Sequence, residues 1–432
     1  MMRIGILLAG AALALAGCGD QEEILVGPRE SVRGGDIALA QQGAVGLSLP
    51  AVTQLADWTH KSANARHDRP HAALSPNPQL RLSVPIGMGN DRKHRISTDP
   101  VIAGGRIYTV DSRSQVMAHS LAGQVLWRTQ VSPGGEPIDD SSGAGLAVSG
   151  GRLYVSTTFG ELIALDTATG RRVWTQDLGA SAAGAPTVSG SSVYVVNRDA
   201  TAFAINTANG RIRWTEQGVP AAAGVVGGAS PAVGSGLVVL PFPGRDLRGL
   251  LPEGGTRRWT AAVGGKRLAR AYASIADLTG DPVISGGRVY TGSSSGQITA
   301  HELTDGRLIW STDQGAMSPV AVAGGSVFAV SDLNQLVRLS ASSGDLIWAV
   351  DLPYYKRNQI RRRRDIYAHY GPVLAGGRLW VASSDGTLRA FDPTSGALRA
   401  QIELPGGAAT NPVVAGGVLY VVNRDGQLLG YR

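Results

Sequence analysis

A chain of 432 residues with 43% hydrophobic side chains has material for a large buried core, and its single cysteine excludes an internal disulfide or a thiolate metal cluster. The formal charge of +7 comes with no zinc-finger, helix-turn-helix or RNA-recognition pattern, which favours ordinary solubility and attraction to an anionic surface or acidic partner over nucleic-acid binding. Its 59 glycines follow no collagen-like period and point instead to many tight turns.

Residues 1–17 read as a signal peptide: Arg3 supplies a positive end, and the apolar run over 4–15 is too short for a stable membrane span. The run ends in Leu15-Ala16-Gly17-Cys18, small residues before a cysteine, as in the site cut by the bacterial lipoprotein signal peptidase. Cleavage leaves Cys18 as an acylated (palmitate-type) N-terminus, where several acyl chains give stable anchoring. Residues 18–57 then read as the lipidated N-terminus and a tether, a few of whose residues lie along the folded domain of 58–432. In the next stretch, His60, His67 and His71 lack regularly placed acidic or cysteine ligands, so loop packing is expected rather than metal binding. Trp58 lies outside the repeats described next and is expected to carry less stability than a repeat tryptophan.

From Asp99 onward the chain is built of imperfect copies of one phrase, clearest over 281–310. There 282–285 reads as a short apolar strand, Gly286-Gly287 as a turn, 288–292 and 297–302 as alternating strands, and Asp305-Gly306 as a turn into a strand over 307–310. None of these pieces has helical spacing of apolar residues. One copy is therefore a four-stranded antiparallel meander. Opening phrases begin at Asp99, Gly145, Ala185, Ser230, Asp281, Ser318, Gly371 and Asn411, a period of about 40–50 residues that belongs to propeller blades. The fold expected is all-β, an eight-bladed β-propeller of four-stranded antiparallel blades.

Six closing phrases place a tryptophan four residues after a turn glycine: Trp127, Trp174, Trp214, Trp259, Trp310 and Trp348. In ALDTATGRRVW the glycine ends the turn in a left-handed conformation and Asp166 accepts backbone N–H groups across it. Six tryptophans at one repeat position point to structural docking between neighbouring blades rather than a solvent-facing binding stripe. The last copy stops one strand short, and 80–86, LRLSVPI, is expected to supply that strand from the N-terminal side, with Leu82 at the tryptophan position. Ala400 occupies the tryptophan position of the seventh copy.

The phrase A-x-D-x-x-T-G-x-x-x-W, here Ala164, Asp166, Thr169, Gly170 and Trp174, resembles the repeat of pyrroloquinoline-quinone-dependent dehydrogenases and their cofactor-free relatives. Eight such repeats behind a lipoprotein signal resemble the propeller lipoproteins of the outer-membrane β-barrel assembly (Bam) machinery, over about residues 58–432. That resemblance implies a scaffold without catalysis or cofactor. Its partner would be the periplasmic domains of the central barrel protein, with unfolded outer-membrane clients as a further possible contact. In these lipoproteins an aspartate directly after the cysteine retains the protein in the inner membrane. Gly19 stands there in this chain, which implies the periplasmic face of the outer membrane.

Three connections are long, over 215–229, 260–280 and 349–370, and the first two, from consecutive blades, are expected to emerge side by side on one face. The resembling lipoproteins dock through an L-R-G segment on one such loop and a D-x-D segment on the next. These carry over to Val225, Val226, Gly227 and Gly228, and to Asp277, Leu278 and Thr279. Val226 replaces the arginine and Thr279 the second acid, which implies an apolar contact flanked by one acid, or backbone pairing to a partner strand, rather than an ion pair. The third connection carries Lys356, Arg357 and Arg361 to Arg364 beside Tyr354, Tyr355, Tyr367 and Tyr370, suited to phosphate or an acidic surface or simply to solvent.

Two other functions share the fold. A quinoprotein dehydrogenase would need a quinone, a calcium ion and a catalytic carboxylate. Asp139, Asp140, Asp277 and Asp281 are candidate carboxylates, but no calcium loop or adjacent cysteine pair accompanies them. A G-x-S-x-G elbow, a Walker loop and an H-E-x-x-H motif are also lacking, so no catalytic, cofactor-binding or metal residue is assigned. A periplasmic cell-envelope-binding propeller would differ only in its partner.

Overall fold

The computed structural model describes residues 45–133, 135, 143–221, 227–265, 267, 277–357, 359, 361 and 363–432. By its contacts the chain divides into Met1–Ala40, which lies outside the described residues, and Gln41–Arg432, to which everything below refers.

Among the described residues, 32 strands, numbered in chain order from β1 (Leu80–Pro85) to β32 (Gln427–Tyr431), form eight four-stranded antiparallel sheets. Seven sheets use four consecutive strands. The eighth has the order β1-β32-β31-β30, with β30 (Val413–Ala415) innermost and Leu82 opposite Gly430, so the first strand completes the last blade as expected. The first strands of successive blades touch around a central channel and are buried on both faces, as in the Val101–Ala103 and Thr187–Ser189 strands. Outer strands such as Arg172–Asp177 alternate exposed and half-buried side chains, because only one side of each meets the neighbouring blade. The strand expected over 282–285 begins earlier, at Leu278. Its register shifts between Gly280 and Val283 let it continue past Pro282, which donates no ladder hydrogen bond.

Each repeat tryptophan lies on the turn glycine of the next blade. Trp127, Trp174, Trp214, Trp259, Trp310 and Trp348 lie over Gly170, Gly210, Gly255, Gly306, Gly344 and Gly396, where a Cβ would fall within 3.0 Å of the indole. All six glycines have φ between +67° and +78°. Conformation and contact thus both require glycine there. Each indole N–H donates to a carbonyl of the turn it covers, as from Trp259 to Leu303 at 2.8 Å and from Trp310 to Ala341 at 3.0 Å. Leu82 takes the same role at the closure, packing on Gly123 of the first blade. Ala400, paired with Ala390 as Trp174 is with Ala164, faces the blade whose last strand comes from the N-terminal side. That blade has no turn between its third and fourth strands, and so no glycine for an indole to cover.

The segment before β1 is where the structure adds most. It passes over one end of the channel and bonds to every blade in turn. Leu55 O accepts from Gly416 N (2.7 Å), Trp58 N and O bond Ile102, and Thr59 O accepts from Val148 N (2.9 Å). His60 Nε2 accepts from Val188 N (3.0 Å), Ala65 O from Val233 N (2.7 Å) and Arg66 O from Ile284 N (2.9 Å). Arg69 then donates to Pro319 O and Pro372 O, and Ala72 N to Leu374 O. Trp58, expected to be secondary, is 1% exposed and belongs to the core shared by the first, seventh and eighth blades. His60, His67 and His71 each hydrogen-bond a backbone group, of Val188, Pro282 and Pro50. The first described residues also line the domain, with Val45 O and Gly46 O accepting from the buried Arg338.

Candidate functional site

With one end of the channel covered by 55–72, the open face is the one that carries the connections from each outer strand to the next blade. Residues opening each blade face the channel there, and several exchange hydrogen bonds around the ring. Ala185 N donates to Ser230 Oγ (3.0 Å), Ser230 N to Asp281 Oδ1 (2.8 Å), Gly371 N to Asn411 Oδ1 (2.9 Å) and Asn411 N to Asp99 Oδ1 (2.8 Å). Repeat residues of one position thus become a polar girdle that holds the blades in angular register.

Lys61 enters this girdle from the covering segment. Its Nζ lies 3.0 Å from Asp281 Oδ1 and donates to Gly228 O at 3.2 Å, with Asp281 fully buried. Asp281, a candidate catalytic carboxylate in the sequence, is therefore committed to an ion pair and a backbone N–H. Asp99 is also buried. Desolvation pushes its pKa up to about 6, against the opposing pull of Lys61 and Asn411. The cavity between these groups, about 280 Å³, is lined by Lys61, Arg95, Asp99, Thr279, Tyr370 and Asn411. Burial pushes the Tyr370 hydroxyl up to about 12, so it stays protonated and can donate.

Around the cavity mouth, the two loops singled out from consecutive blades do meet: Ala229 N donates to Leu278 O (3.2 Å). Gly227 is exposed at φ +78°, while Gly228 is buried, a Cβ there falling 3.0 Å from Ala183 O. Asp277, Leu278 and Thr279 are 5%, 3% and 8% exposed. Leu278 and Thr279 open the first strand of their blade, and Thr279 Oγ1 donates to Ala316 O at 2.5 Å. The D-L-T segment is thus mostly wall, and among the described residues of the first segment Gly227 forms the accessible lip. Val225, Val226, Asp139, Asp140 and the lipidation candidate Cys18 lie outside the described residues. Lys61 and Ala229, which position the lip, carry no local sequence signal. Among the described residues no group of three or more His, Cys, Asp or Glu is arranged to hold a metal ion.

The sequence model of the family described as outer membrane protein assembly factor BamB matches residues 112–350 and 355–432. The chain belongs to the BamB family. It is 30% identical over 301 residues to the BamB of Alteromonas naphthalenivorans, covering 66% of this chain and 71% of that one. The crystal structure of BamB from Moraxella catarrhalis shares the fold, with a TM-score of 0.68 at 19% identity over 82% of this chain and 99% of the other. Similarity to the quinohemoprotein alcohol dehydrogenase ADH IIB of Pseudomonas putida is 32% identity over 123 residues, 26% of this chain and 18% of that enzyme. That stretch spans about three blades and reflects the shared repeat, whereas the BamB match runs through nearly the whole ring.

Proposed function

We propose that this BamB-family chain is a non-catalytic scaffold of the outer-membrane β-barrel assembly machinery, binding the periplasmic domains of its central barrel protein and assisting insertion of outer-membrane proteins. The observation that carries this reading is the joining of family membership to a prepared lip: two long connections from consecutive blades, fastened to each other through Ala229 and Leu278 and to the covering segment through Lys61. A rigid ring that presents loops on one face contributes position and binding; it supplies no energy source of its own. Because Asp277, Leu278 and Thr279 are largely buried, the partner contact falls on the first segment, 225–228, where Gly227 is exposed. Val225 and Val226 suit an apolar contact, and Gly227 and Gly228 beside them allow a partner strand to approach the backbone.

On this reading the chain sits at the periplasmic face of the outer membrane, held there by acyl groups on Cys18. A tagged full-length chain solubilised from native membranes in mild detergent should bring down the central barrel protein in near-stoichiometric amount. Recovery of a cell-wall fraction with no barrel protein would replace this reading with the envelope-binding one.

A further inference from the structure

The connection into the seventh blade is built differently from the others. Its two limbs, 354–357 and 363–367, pair as a short hairpin: Lys356 N donates to Asp365 O and Tyr367 N to Tyr354 O, both at 2.9 Å, and Tyr355 bridges Ile366. Its base is fastened to the ring, since Asn334 Nδ2 donates to Tyr367 O (3.0 Å) and the buried His369 ring bonds Pro353 O (2.7 Å). Residues 354–367 contain six basic residues and one acid, so this arm holds five of the chain's seven net positive charges. Lys356, Arg357, Arg361, Arg363 and Arg364 are all exposed. The arm is also amphipathic. The Tyr354 and Tyr355 rings pack at 4.7 Å, the Arg363 guanidinium stacks 4.9 Å over Tyr355, and Ile366, opposite Tyr355, is 50% exposed.

We propose that this arm is a binding site for anionic phospholipid headgroups, holding the open face of the propeller at a membrane surface. Exposed arginines this close in sequence, Arg361, Arg363 and Arg364, suit mobile phosphates that can come to each of them, better than the fixed carboxylates of a folded partner. Clusters of four to eight Lys and Arg are the usual electrostatic signature for anionic lipid. The Tyr355–Ile366 pair adds a small apolar face with polar tips, the amphipathic chemistry of the headgroup boundary. The site is two to three blades away from the 225–228 lip, so it stands or falls independently of the partner reading.

Residues 45–432 contain all eight closed blades, so the chain from Gly19 onward, without acyl groups, can be floated with phosphatidylcholine vesicles made with and without one-third phosphatidylglycerol. The expected result is binding to the anionic vesicles only, lost at half-molar salt. Arg361→Ser, Arg363→Ser and Arg364→Ser together should lower partitioning about a hundredfold, since each basic residue near the surface contributes roughly fivefold. Arg171→Ser, Arg211→Ser and Arg258→Ser, all exposed and away from the arm, should leave it unchanged, with both triples melting like the wild type. Equal loss in the two triples, or no wild-type binding to anionic vesicles, would overturn the proposal. Salt-sensitive binding to polyglutamate without vesicle binding would overturn it in favour of an acidic protein partner.

Discussion

The inter-blade tryptophans set a magnitude that can be worked from a single site. Trp310 is 6% exposed, lies on Gly344 of the next blade, and has its ring centroid 6.0 Å from that of Tyr290 at an interplanar angle of 47°. Replacing it with alanine removes most of an indole from a packed interface, where large aromatic-to-alanine changes cost roughly 3–5 kcal/mol including the cavity left behind. The lost N–H bond adds little, because Ala341 O keeps the Arg288 guanidinium as a donor at 2.8 Å. The reciprocal change, Gly344→Ala, forces a Cβ to 2.6 Å from the indole at φ +78°, with overpacking alone costing about 1–3 kcal/mol. Urea melts of both variants, of the double variant and of Trp58→Ala provide the comparison. The two singles should be strongly non-additive, and Trp58→Ala should match Trp310→Ala, since Trp58 is buried more completely. Additive losses, or a Trp310→Ala midpoint like that of a change at the half-exposed Leu308, would refute the docking account.

Lys61→Met leaves the buried Asp281 carboxylate without its cation and should cost about 3 kcal/mol in the same melts, while adding Asp281→Asn should recover part of the loss; a wild-type midpoint for the single variant would show the pair to be dispensable. Buried groups also set opposing pH trends. Desolvation pushes His60 down to about 3 from 6.5 and lowers His67 as well, so stability from both is present above about pH 6.5 and is lost as pH falls. Asp99, raised to about 6, contributes most below its ordinary value and loses that contribution as pH rises through about 6. Asp99→Asn should therefore enlarge the fall in stability between about pH 7.5 and about pH 5 by roughly 1 kcal/mol, and an unchanged fall would contradict the burial argument. Cys18→Ser should abolish acyl labelling and release or stall the precursor, and Gly19→Asp should move mature protein to the inner-membrane fraction; acyl label persisting in the serine variant would overturn the Cys18 assignment.

The ring was legible because its contacts repeat. A tryptophan four residues after a turn glycine recurs six times, and the structure puts each ring on the following blade's glycine. Even the exceptions could be read, since Leu82 and Ala400 flank the one place where the blade is completed from the other end of the chain. The covering segment could not be read. Its bonds run from backbone carbonyls at Leu55, Thr59, Ala65 and Arg66 to N–H groups of four different blades, and a carbonyl is the same in every residue type. Lys61 was hidden for a related reason, because its partner Asp281 is 220 positions away. At the candidate site, the resemblance marked the two loops that meet through Ala229 and Leu278. Burial, which decides that the D-L-T segment is wall rather than surface, depends on the strand starting four residues before the point that Pro282 suggested.

The central claim is that the lip at 225–228 is where this scaffold holds its partner. Titration of the purified propeller against the periplasmic domains of the central barrel protein tests it most directly, with wild type and Val226→Glu both confirmed as folded by their melts. Saturable binding that weakens by more than about 2 kcal/mol in Val226→Glu is the predicted result, since a charge would be buried unpaired in the contact. Wild-type affinity in the folded variant would contradict the claim and move the docking surface elsewhere on the ring.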